Sequence, residues 1–139
     1  MQNMTPLPPL RWIAALLLLL VSGCRVERPV PPISEAARPA AISTDSFLAA
    51  AARGDTARVL ALADDPSILR SVGTIARDYP KVLAAAARSK RLYLLEVRGD
   101  TVWAGYVANH WFSARHIQLI GLRRGGVWRV NYIAIPGLE

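Results

Sequence analysis

The sequence predicts an α+β domain over residues 43–139, with helices packed on a four-stranded antiparallel meander. Three observations lead there. Apolar residues recur at helical spacing up to about Ala87. From Arg91 onward the composition shifts to strand formers. Two tight-turn signals, Gly99-Asp100 and Gly125-Gly126, then punctuate the strand-rich half.

The chain opens with a different kind of segment. Arg11 precedes an unbroken apolar run from Trp12 to Val21, with five leucines at Leu16–Leu20. About ten apolar residues suit the hydrophobic centre of a signal peptide and fall short of the ~20 that span a bilayer. Small residues Ser22 and Gly23 lead to Cys24, the one cysteine of the chain. The run Val21-Ser22-Gly23-Cys24 resembles the lipobox of bacterial lipoproteins, with valine where leucine is commoner. That resemblance implies cleavage after residue 23 and a diacylglycerol thioether on Cys24. It also implies a location in the cell envelope, on the periplasmic face of the outer membrane if the cell is Gram-negative. Arg25 stands where an Asp would signal retention at the inner membrane. Two or three acyl chains, at about 0.8 kcal/mol per buried methylene, make a stable anchor.

Residues 24–42 read as the lipidated cysteine and a proline-rich linker. Pro29, Pro31, Pro32 and Pro39 favour extended backbone, and no apolar period is evident. A lone cysteine excludes an internal disulfide and a thiolate zinc site. The formal charge is +7, and +6 from Cys24 on, because Arg11 is the one charge ahead of it. The arginines are spread without a dense run, which points to a charged surface suited to anionic headgroups and away from nucleic acid.

Within the domain, Ser43, Thr44 or Asp45 is placed to cap a helix from Ser46 to Arg53, stopped by Gly54. Asp55 caps a second helix, Thr56 to Ala63, burying Val59, Leu60 and Leu62 or Ala63. Asp65-Pro66 reads as N-cap and first helical position, followed by the stripe Ile68, Leu69, Val72, Ile75 and Ala76. Pro80 opens a fourth helix whose Val82, Leu83, Ala86 and Ala87 share a face. The strands expected are Leu92–Val97, Val102–Ala108, His116–Leu122 and Val127–Ile135, with a loop at 109–114. In the last strand Trp128, Val130, Tyr132 and Ala134 should share one face, and Val127, Arg129, Asn131, Ile133 and Ile135 the other.

This order of elements is similar to the nuclear transport factor 2-like (cystatin-like) superfamily. The likeness rests on Phe47-Leu48-Ala49-Ala50-Ala51-Ala52-Arg53-Gly54-Asp55 and on Gly125-Gly126-Val127-Trp128-Arg129-Val130. It implies a curved, cone-like sheet around the helices and, in the enzymes of the superfamily, a proton-moving acid, histidine or tyrosine inside the cone. Glu96, His116 and Tyr106 are the candidates here, with Glu96 and His116 as a general-base pair for an isomerase, dehydratase or hydrolase acting on a small hydrophobic substrate. The plainer reading makes Glu96 and Arg98 solvent-side charges and His116 a strand-surface residue. No histidine or acid spacing fits a metal, and no cofactor motif is present. His110, Trp111 and Phe112 are the candidate binding residues, either an exposed aromatic patch or a plug closing the sheet's open end. The leading reading is non-catalytic: a membrane-anchored module that binds an envelope protein or a small apolar ligand.

Overall fold

A buried tyrosine joins the two halves of this α+β fold. The structure is a computed structural model describing residues 32–110 and 113–137. A 3-10 turn, Glu35–Ala37, precedes four helices: α1 (Arg38–Arg53), α2 (Thr56–Leu62), α3 (Ile68–Asp78) and α4 (Pro80–Ser89). Four strands follow: β1 (Leu92–Arg98), β2 (Thr101–His110), β3 (Ser113–Arg124) and β4 (Val127–Ala134). They pair antiparallel in the order β1-β2-β3-β4, with the helices on one face.

Helix α1 begins at Arg38, well ahead of the expected Ser46, so residues 38–42 belong to the fold and not to the linker. Pro39 sits in the first helical turn, where a missing N–H leaves no bond unmade. Ala40 is 0% exposed and packs on Val102 and Trp128. Ser43, Thr44 and Asp45 therefore lie inside the helix and do not cap it. At the other end, Gly54 adopts φ 68°, its N–H bonds to the Ala51 carbonyl, and the Asp55 N–H bonds to that of Ala50. The Asp55 carboxylate then accepts from the Arg58 N–H at 3.0 Å and starts α2. Two adjacent residues stop one helix and open the next.

Helix α2 buries Val59, but Leu60 is 40% exposed. Ala63 has left the helix, but it is buried as expected and bridges Val130. Asp65 caps the turn ahead of α3 by accepting from the Ser67 N–H at 2.7 Å. Regular helix begins only at Ile68, because the first turn uses the tighter bonds Ile68 N to Asp65 O and Leu69 N to Pro66 O. Ile68, Val72 and Ile75 face the core, as do Leu83 and Ala86 of α4.

The strands run longer than expected. Asn109 pairs with Ala114 and His110 with Ser113, so the anticipated loop at 109–114 is mostly hairpin ladder. In β4 a bulge opposite Ile120 and Gly121 inserts an extra residue and reverses the alternation. Trp128, Val130 and Ile133 consequently face the helices, followed by buried Ile135, while Tyr132 is 47% exposed. Trp128 and Tyr132 thus lie on opposite faces, contrary to simple two-residue counting.

Tyr106 projects from β2 into the middle of the core and is 0% exposed. Its hydroxyl donates to Asp45 Oδ1 at 2.5 Å and lies 2.7 Å from Thr44 Oγ1. Thr44 is also 3.1 Å from the Ala41 carbonyl, so its one proton serves the carbonyl or the phenol oxygen. Burial, and then the bond to Asp45, hold the phenol's pKa well above its ordinary value.

Two stability predictions follow from this architecture. Tyr106→Phe should cost about 1–2 kcal/mol near neutral pH, as denaturant unfolding would measure. Above about pH 10 an unfolded tyrosine loses its proton while folded Tyr106 keeps its own. Wild-type stability should then fall by about 1.4 kcal/mol per pH unit relative to the variant, narrowing the gap between them. Gly73 lies mid-helix in α3 with open space where a Cβ would stand. Gly73→Ala should stabilise by about 0.5–1 kcal/mol in the same assay.

Candidate functional site

The outer face of the sheet carries two of the sequence's candidate residues but keeps them apart. Glu96 lies on β1 opposite Trp103, and its row continues to Ile120 on β3. His116 lies on β3 opposite Val107, four residues from Ile120. The two are separated by about 13 Å along the strands and about 10 Å across them. Glu96 accepts from Arg98 Nε at 2.6 Å, and its side chain is 42% exposed. An exposed pair of this kind is worth little to stability and leaves the carboxylate no histidine to work with. Tyr106 is on the inner face, closed off by the helices. The three candidates are not brought together.

His116 has a different neighbourhood. Its ring lies 4.6 Å from that of Tyr93, tilted at 55°. Tyr93 sits at a bulge in β1 with its ring over Gly105, where a Cβ would meet it at 2.5 Å. Gln118, on the same face as His116, donates to the Tyr93 hydroxyl at 3.1 Å. His116 Nδ1 is shielded from solvent and has no hydrogen-bond partner among the described residues. The cluster is a side-chain ladder that braces three strands. Of the other candidate residues, Cys24, Trp111 and Phe112 lie outside the described residues, and His110 is placed only as the last residue of β2.

A concave site forms where sequence reading did not look, between α3 and the edge strand β4. This cleft has a volume of about 740 Å³. Arg70, Ser71 and Thr74 of α3 form one wall, with Tyr79 at the helix end. Ile133, Ile135 and Pro136, with Ile75 and the ring of Tyr132, supply an apolar surface. Gln118 and Ala134 reach it from the outer face of the sheet. The β4 bulge makes this possible, since it sends Ile133 inward and its neighbour Tyr132 outward at the same edge. A smaller cleft of about 340 Å³ lies beside α1, with Asp45, Arg53, Arg58 and Lys90 among its lining residues.

Comparison with protein families, curated proteins and solved structures yields no match for the chain. Among the described residues, no three His, Cys, Asp or Glu side chains group as metal ligands, and no helix is long and apolar enough to cross a membrane. The residues missed by sequence reasoning are those of the cleft. One signal was present: between Asp65 and Asp78 the exposed side of α3 carries Arg70, Ser71 and Thr74 with no acid among them.

Proposed function

We propose that this chain is a lipid-anchored protein of the cell envelope whose domain binds a small apolar ligand without catalysing a reaction. The observation that carries the ligand reading is the cleft between α3 and β4. Its volume of about 740 Å³ lies within the roughly 300–1,000 Å³ of small-molecule sites. Its hydrocarbon surface comes from Ile75, Ile133, Ile135 and Pro136, outside any acid–base pair. The anchor reading rests on the apolar run ending at Val21-Ser22-Gly23-Cys24. With the 3-10 turn starting at Glu35, ten residues separate Cys24 from it. Fully extended at ~3.1 Å each, they would let the domain stand about 30 Å from the membrane.

A second reading, an envelope protein docked on the outer sheet face, is favoured by the exposure of Tyr93 (40%) and Tyr132 (47%). Blocking the cleft separates the two. Full-length protein in non-ionic detergent, with isoleucine methyl groups labelled for NMR, is titrated with the neutral probe 4-phenylbutanol. The methyls of Ile75, Ile133 and Ile135 should shift, while that of Ile117, buried under the sheet centre, should not. Ala134→Trp should weaken binding at least tenfold and keep the folded spectrum. Unmoved cleft methyls at millimolar probe, or unchanged affinity in Ala134→Trp, would remove the ligand reading.

A further inference from the structure

We infer that the cleft's ligand is an amphiphile with a singly charged anionic head, and that Arg70 holds that head. The inference rests on the ligand reading above and adds the class of molecule. Among the described residues that line the cleft, Arg70 is the one that carries a charge, and none is an acid. Among the described residues the Arg70 guanidinium has neither an ion pair nor a side-chain hydrogen bond. Four other arginines are already matched: Arg77 with Asp78, Arg98 with Glu96, Arg123 with Asp100 and Arg124 with Asp64. The acids nearest Arg70 in sequence are committed elsewhere, Asp65 to the Ser67 N–H, Asp64 to Arg124 and Asp78 to Arg77. Among the described residues, no acid is paired with the positive charge that Arg70 brings to the cleft.

Polarity within the cleft is segregated. Arg70 and Thr74 stand four residues apart on α3, side by side on one flank, with the Ser71 hydroxyl beside them. Ile133, Ile135 and Pro136 line the strand side together with Tyr132 and Gln118, whose amide donates to the Tyr93 hydroxyl. An occupant that satisfies both walls has a hydrocarbon or aromatic body toward β4 and an acceptor-rich anion toward α3. A carboxylate matches the fork of a guanidinium and accepts from two neighbouring hydroxyls. A doubly charged phosphate would need a second cation, which the lining lacks.

Two probes of one shape decide the matter: 4-phenylbutyrate and 4-phenylbutanol, titrated into the full-length protein in non-ionic detergent and read at the Ile75, Ile133 and Ile135 methyls. The carboxylate should bind about fivefold tighter than the alcohol, a ratio scaled to a solvent-exposed ion pair strengthened by hydrogen bonds. In Arg70→Gln the two affinities should converge, with the alcohol's unchanged. Arg77→Gln, on the same helix but outside the cleft, should keep the wild-type ratio. Equal affinities in the wild type, or a preference that survives Arg70→Gln, would overturn the anionic-head inference and leave the ligand reading standing. Failure of both probes to move any cleft methyl would overturn the two together.

Discussion

The hydroxyl of Tyr106 sits where no water reaches it, and the arrangement of the helices follows from that constraint. A buried phenol without a partner costs about 1–3 kcal/mol, and this one is satisfied only if α1 presents Thr44 and Asp45 directly above β2. That requirement fixes the rotation of α1 about its axis. Phe47, Leu48 and Ala51 then point to the core, and Ala40 settles on Val102 and Trp128. Ser43 adds a bond to the Trp128 carbonyl at 2.9 Å, pinning the helix to β4 as well. Because Gly54-Asp55 ends α1 and begins α2 without slack, the path toward α3 is set by the same tie.

The sheet supplies a second constraint through its two bulges. One lifts Tyr93 over Gly105, where its ring and hydroxyl hold His116 and Gln118 in place. The other shifts the alternation of β4 by one residue, so that Ile133 faces inward and Tyr132 outward. The cleft is a product of that shift together with the placement of α3. Its polar wall belongs to the solvent side of a helix whose other side is core, with Val72 and Ile75 buried beneath Arg70 and Thr74. The turn that follows β4 completes the rim with Pro136 and Gly137.

Much of the fold was legible because local chemistry and tertiary packing agree. The Gly54-Asp55 junction, the Ile68–Ile75 stripe, the switch to strand formers at Arg91 and both hairpin turns all describe elements that exist. The misreadings share a cause, since each was decided by a distant partner. Pro39 suggested a linker, yet Val102 and Trp128 provide a surface that rewards helix at Ala40. Two-residue alternation in β4 could not anticipate a bulge set by its pairing with β3. Thr44 and Asp45 carry the signature of a cap, but as interior helix residues they bond the phenol of Tyr106, some sixty residues later. The site was harder still, because the cleft joins a polar helix flank to an apolar strand end that no sequence pattern links.

The proposed anchor would hold the cleft close to a membrane surface, within reach of the small amphiphiles that partition there. Anchor and cleft are distinguishable by a single kind of measurement: the intact mass of the protein extracted from its native host's membranes, taken under native and then denaturing conditions. The polypeptide should begin at Cys24 and carry acyl mass that survives denaturation, together with a small acidic adduct that denaturation releases. A chain retaining residues 1–23, with no acyl mass on Cys24, would contradict the anchor.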